Sequence, residues 1–215
     1  MNYKIVKNES QLREFIDWLP DGHFYVSLIA RKKYCQLISS NNQQLRRFVS
    51  TKKHLFQKIK QLECPIGSYA IDDFPIPEYA LALYITINPR SLWKASCNGL
   101  KKLAETIANG DKSVDPLKMM TNIIQTSSED KKYLIFDIDD KNAETLQKAL
   151  DIVGRQCYLV TRGGYHVLVN TDKIKQYPNN WYNDLKAFSD IAGDEMSPVP
   201  GTTQGNFIPF MMYDN

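Results

Sequence analysis

Two runs of strand-forming residues, Cys157-Tyr158-Leu159-Val160 and Tyr165-His166-Val167-Leu168-Val169, are separated only by Thr161-Arg162-Gly163-Gly164. A two-glycine connection of that length suits a hairpin or a bulged turn, so the runs are read as an antiparallel pair. Just upstream, Tyr133-Leu134-Ile135-Phe136 reads as a further strand. Asn142 to Val153, with Leu146, Ala149 and Leu150 at helical spacing, reads as a helix that Gly154 ends. The order strand, helix, strand, strand is followed by a helix around Trp181 to Ile191, an irregular Gly193 to Gly205 segment and a last strand, Phe207 to Met212. That pattern predicts a small α+β sheet.

The first half of the chain patterns differently. Leu12, Phe15, Ile16 and Leu19 mark an opening helix that stops at Pro20-Asp21-Gly22, and His23 to Ala30 should be a strand. Leu45, Phe48, Leu55, Ile59 and Leu62 are spaced for one buried face of a helix, broken by Cys64-Pro65-Ile66-Gly67. Phe74-Pro75-Ile76-Pro77 is extended, Ala80 to Ile87 is a buried strand, and helices over Leu92 to Ala108 and Pro116 to Thr126 link two lobes. The expected architecture is a single α+β domain of 215 residues, with an N-terminal α/β lobe over 1–127 and a second lobe over 128–215.

With 43% hydrophobic and 11% aromatic residues, a chain of this length has the material for a core, which excludes disorder and fibre. The longest apolar stretch, Tyr79 to Ile87, is far short of the ~20 residues of a membrane span, so no membrane partner is expected. Met1 to Lys7 shows no secretory h-region, and a cytoplasmic protein is expected. Cys35, Cys64, Cys97 and Cys157 form no C-x-x-C pair and read as free thiols rather than a zinc site.

Charge is unevenly spread. Between Arg31 and Leu62 there is no Asp or Glu, while nine Lys/Arg fall there: Arg31, Lys32, Lys33, Arg46, Arg47, Lys52, Lys53, Lys58 and Lys60. An anionic partner would select such a window, although a solvated helix face would also produce it.

Asp137 and Asp139 follow the Tyr133 to Phe136 run, and alternation along a strand puts residues two apart on one face. Two neighbouring carboxylates repel unless a cation lies between them, and Mg²⁺ is usually held by one or two carboxylates plus substrate phosphates. The pair therefore points to phosphate chemistry, against the alternative of an acidic loop start. His166 is the second residue of an apolar strand, where something must satisfy its ring; across the hairpin, Arg162 could serve as a second cation.

These residues resemble the archaeo-eukaryotic primase, or primase-polymerase, superfamily, in particular its small phage and plasmid members. Phe136-Asp137-Ile138-Asp139 is similar to its hydrophobic-Asp-x-Asp metal motif, and Thr161-Arg162-Gly163-Gly164-Tyr165-His166-Val167 to its small-x-His nucleotide motif. The third motif is matched by Asp194, chosen over Asp190, although both lack its usual hydrophobic predecessor. The resemblance covers roughly residues 131–212. It implies an RNA-recognition-motif-like second lobe, an active-site cleft between the lobes, and a template-directed nucleotidyltransferase, a DNA primase or polymerase in replication. It further implies two Mg²⁺ or Mn²⁺ ions on Asp137, Asp139 and Asp194, with Asp137, Asp139 and His166 as the catalytic set. Arg162, Gly163, Gly164 and His166 would bind the triphosphate of an NTP or dNTP, partly through backbone N–H groups. A single-stranded DNA template would lie on Arg31, Lys32, Lys33, Arg46, Arg47, Lys52, Lys53 and Arg90. With no helicase or zinc module in the sequence, unwinding is expected from a helicase or initiator on a separate chain, in the cytoplasm of a bacterial cell or phage-infected host.

Two other readings use the same residues. Leu134-Ile135-Phe136-Asp137-Ile138-Asp139 also resembles the nucleophile strand of haloacid-dehalogenase-type phosphatases, where Asp137 would be phosphorylated. Lys141 stands where that family has threonine or valine, and His166 goes unexplained. A catalytically inactive nucleic-acid-binding replication accessory protein would keep the fold and the basic window, yet would have no use for metal ligands.

Overall fold

The alternation read in the second half becomes two packing faces of one sheet. The computed structural model describes residues 1–193 and 195–213. Its first half runs α1 (Glu9–Trp18), β1 (His23–Arg31), β2 (Asn42–Thr51), α2 (Leu55–Lys60), β3 (Ala70–Ile71), β4 (Phe74–Pro75), β5 (Leu81–Thr86), α3 (Leu92–Ala108) and α4 (Pro116–Thr126). The second runs β6 (Tyr133–Ile138), α5 (Ala143–Val153), β7 (Cys157–Val160), β8 (Tyr165–Asn170), α6 (Trp181–Lys186), β9 (Asp190–Ile191), β10 (Met196–Pro198) and β11 (Phe210–Tyr213). The class is α+β: one sheet has the order β10-β5-β1-β2, another the order β11-β7-β8-β6-β9, and the neighbouring strands in both are antiparallel.

On β6 and β8, Phe136, Ile138, Val167 and Val169 pack against Leu146 and Leu150 of α5 and Trp181 and Leu185 of α6. The opposite face sends Ile135, Leu159 and Leu168 into a larger core shared with Phe24, Val26, Leu28 and Leu83 of the other sheet and Leu12 and Phe15 of α1. Asp137 and His166 are the next residues on that second face, so they project where the shared apolar packing gives out. The helix bounds follow from their caps. Ser91 caps α3 by accepting from the Lys94 N–H, Asp115 caps α4 ahead of Pro116, and Gly154 ends α5 at φ +68°.

Three expectations need correction. Residues 42–51 are a strand and not the start of a helix; the helix begins only at Leu55, where Leu55 and Ile59 are buried. The cause is a bulge: Leu28 pairs with Arg46 but Ile29 with Gln44, leaving Leu45 as an extra residue. Leu45 and Phe48 thereby come to lie three apart, which imitates helical spacing. The helix from Trp181 stops at Lys186, and Asp190–Ile191 are an edge strand on β6. The segment expected to be irregular carries β10, which crosses back and pairs with β5, and Thr203 N–H donates to Ile5 O. The division at 127/128 is therefore incomplete, since part of the second lobe's sequence is built into the first sheet.

Candidate functional site

Asp137 on β6 stands directly opposite His166 on β8. The ring's Nε2 is 3.3 Å from Asp137 Oδ1, and its Nδ1 is 2.5 Å from Ser197 Oγ on β10. Nε2 thus faces the carboxylate at ion-pair distance, while Nδ1 shares a hydrogen bond with the Ser197 hydroxyl. Burial pulls the Asp137 carboxyl upward, but the His166 hydrogen bond and ring charge, then Lys33 and Arg31, outweigh it and hold the group below the ordinary carboxylate value. Asp139, one residue beyond the strand, is exposed and lines the same cavity as Asp137 and His166.

The hairpin is closed by Thr161, whose N–H donates to Gly164 O. Its Oγ1 accepts from the N–H groups of Gly163 and Gly164, at 3.3 and 3.1 Å. Those two N–H groups, expected to meet a triphosphate, thus serve the turn itself. Gly164 has another duty. A Cβ there would stand 1.9 Å from Ile138 O and 2.7 Å from Asp140 O, so only glycine lets the hairpin lie backbone to backbone on the Asp137–Asp140 segment. Gly163 lines the cavity, and a Cβ on it would be 3.0 Å from Asp139 Oδ1.

The facing wall comes from the other sheet. A cavity of about 430 Å³ is closed by Ser27, Arg31, Gln44 and Tyr84, with Lys33 from the loop after β1 and Gln204 at one side. Gln44 Nε2 donates to Tyr25 Oη and Ser27 Oγ, and Arg31 donates to Tyr84 Oη. Burial, then Arg31, lowers the Lys33 pKa, while Asp139 and Asp137 pull it back. Arg162 does not point into this space: its guanidinium lies 4.2 Å over the Tyr34 ring, and its backbone N–H donates to Gln204 Oε1. Tyr34 also has Arg31 and Lys33 within 6 Å of its ring, which gathers three cations at the cavity rim.

The basic window does not form one surface. Arg31 and Lys33 face the aspartates, and Lys32 is turned to Ser39 O. Arg46, over the Tyr69 ring, and Arg47 border a neighbouring shallow depression with Asp115 and Lys118. Lys52 and Lys53 sit with Arg13, Asp17 and Asp21 at the far end of β1, whose length puts them roughly 25 Å from Arg31. Arg90 is a correction. It is only 1% exposed, pairs with Glu195 Oε2 at 2.6 Å and donates to Asn88 O and Gln125 O, so it is a structural cation and not a surface contact for nucleic acid.

Asp194, the expected third metal ligand, lies outside the described residues. Asp190 is the cross-strand partner of Asp137 and borders, with Asp137 and Asp139, a second opening beside the main cavity. A two-residue strand leaves no periodicity by which the sequence could place Asp190 there. Ser197, Gln44 and Tyr84 carry no site signal in the sequence beyond the acid-free window, and of the three only Gln44 falls in it. Among the described residues no three Asp, Glu, His or Cys side chains converge as a metal group. A divalent ion on Asp137 and Asp139 would take the rest of its shell from water and an oxyanion, which is how Mg²⁺ is commonly held. No protein-family model, no curated protein and no solved structure matches the chain. Among the described residues no helix is long and apolar enough to cross a membrane.

Proposed function

We propose that the chain is a template-directed nucleotidyltransferase of the primase-polymerase type. The observation that carries this reading is one cavity lined by Asp137, Asp139 and His166 on one side and by Arg31 and Lys33 on the other. Carboxylates facing cations across a space of nucleotide size suit a substrate that brings both metal and phosphate. The order β6-α5-β7-β8-α6-β9, with spatial order β7-β8-β6-β9, is the split β-α-β arrangement that an RNA-recognition-motif-like lobe calls for.

Asp137 and Asp139 would hold Mg²⁺ or Mn²⁺, which supplies charge neutralisation and activation of the attacking hydroxyl. His166 orients Asp137 through Nε2 and is itself fixed by Ser197, so its ring stays in register with the carboxylate. Arg31 and Lys33 bring positive charge to where a polyphosphate would lie, and Arg162, stacked on Tyr34 beside them, would add to it.

Two competing readings lack support. A doubly wound phosphatase needs its nucleophile strand in a parallel sheet, and β6 is antiparallel to both neighbours. Ser197, His166 and Asp137 form the hydrogen-bonded row of a serine hydrolase, but Ser197 is fully buried and cannot reach a substrate. The deciding experiment incubates the protein with primed and unprimed single-stranded DNA, labelled ribo- or deoxynucleotides, and Mg²⁺ or Mn²⁺. Extension or primer products that vanish in Asp137→Ala are expected; none under any combination rejects the proposal.

A further inference from the structure

α3 has two apolar sides and only one is used. Ala95 and Gly99 are buried against α4, where a Cβ on residue 99 would stand 2.3 Å from the Met120 sulfur. The other side carries Trp93, Cys97, Leu100, Ala104 and Ile107, all exposed, spaced alternately four and three residues apart. Trp93 is 79%, Leu100 69% and Ile107 71% exposed, and Leu117 on α4 is 74% exposed. Scattered apolar residues on a surface need no explanation, but a run of large ones down one helix marks a contact. The four-three spacing is the seam of a coiled coil, whose side chains fit holes on a facing helix of the same pattern.

We propose that this face is the interface of a two-fold homodimer, in which α3 packs antiparallel on α3 of a second copy about Leu100. The stripe is complementary to itself in that orientation. Trp93 and Ile107 lie seven residues either side of Leu100, so a two-fold axis there sets the large indole against the smaller isoleucine at both ends and leucine against leucine at the centre. Lys94 and Lys101 flank the stripe and are exposed, so the like charges of the two copies stay in water. Area agrees as well. Taking up to 250 Å² for a Trp and somewhat less for Leu or Ile, these side chains offer roughly 500 Å² per copy, and two copies reach the ~1,000 Å² at which specific interfaces begin.

The proposal is independent of the catalytic reading, because it touches no residue of the cavity. Sedimentation equilibrium of the full chain from about 1 to 100 µM, the range of modest interfaces, should show twice 24.8 kDa at the upper end. Leu100→Glu puts two carboxylates on the axis and should weaken the dimer by about a hundredfold, as loss of a central anchor does. Because Leu100 is exposed in the single chain, its far-ultraviolet dichroism should match wild type. A wild-type monomer at the highest concentration overturns the proposal, and so does a dimer that Leu100→Glu leaves intact. Rapid Cys97–Cys97 disulfide formation under mild oxidation also overturns it, since only a parallel pair would bring those thiols together.

Discussion

On the five-stranded sheet the groups facing the cavity are set by paired backbone: Asp137 and His166 sit in register on β6 and β8, and the Gly164 hairpin rests on the aspartate segment. On the four-stranded sheet they are long side chains from the end of β1 and the loop beyond it, Arg31 and Lys33, with Tyr84 as a brace. The first wall is held by backbone pairing and the second by side-chain contacts. A site divided this way keeps the groups that must be placed within fractions of an ångström on ladders, and leaves charge, which acts over several ångströms, to long side chains.

The comparison breaks most sharply at Asp137. Asp137→Ala should lower nucleotide incorporation by about a thousandfold, in keeping with loss of a metal ligand, with an unfolding temperature near wild type. Retained activity would show that the rigid wall is not where the chemistry lies. Next comes the backbone contact itself. Gly164→Ala forces a Cβ to 1.9 Å from a carbonyl oxygen and should cost about 3 kcal/mol or more in denaturant unfolding. Gly163→Ala meets only the movable Asp139 carboxylate at 3.0 Å and should cost less than about 1 kcal/mol. Equal effects at the two glycines would refute the backbone-keyed account.

The tie between the sheets offers a third test. Burial pushes the Glu195 carboxyl up, but hydrogen bonds from Lys131, Arg90 and Ser128 outweigh that and hold it at about 2. Glu195 also sits at φ +55°, where a side chain costs ~1 kcal/mol, so these partners hold a strained residue in place. A carboxyl depressed from 4.5 to about 2 contributes stability that is complete above pH 4.5 and is lost as pH falls toward 2. Arg90→Ala should remove about 3 kcal/mol at neutral pH and flatten that acid limb, both read from unfolding curves across pH.

The side-chain wall should respond more gently. Arg31→Ala or Lys33→Ala should weaken nucleotide binding by about 1–3 kcal/mol each, measured by calorimetry, without changing unfolding. The smallest effect concerns salt. Neutralising Arg31 and Lys33 together should lower the slope of log affinity for single-stranded DNA against log salt by about 1.4, while neutralising Lys52 and Lys53 should leave it unchanged. The reverse result would move the template to the far end of β1.

The rigid wall was also the legible one. Helices α3 and α4 fall on the residues their caps and periodicity predict, and the β7–β8 hairpin follows from two glycines between apolar runs. β2, which brings Gln44 to the facing wall, has the spacing of a helix in sequence because the Leu45 bulge offsets the alternation on which a strand is recognised. Arg90 reads in sequence like any arginine at a helix start; only the fold brings Glu195, 105 residues on, to it. Ser197 likewise acquires meaning only when β10 crosses to β5 and carries its hydroxyl to the His166 ring.

That crossing decides how the molecule can be dissected. β9 is an edge of one sheet and β10, five residues later, an edge of the other, so a single short stretch is sewn into both. A fragment cut after Ser127 would lose the strand that covers β5 and would present a bare row of backbone donors and acceptors in the most apolar part of its sheet. Such an edge invites pairing with other chains, so the amino-terminal half made alone should aggregate instead of folding as an independent module.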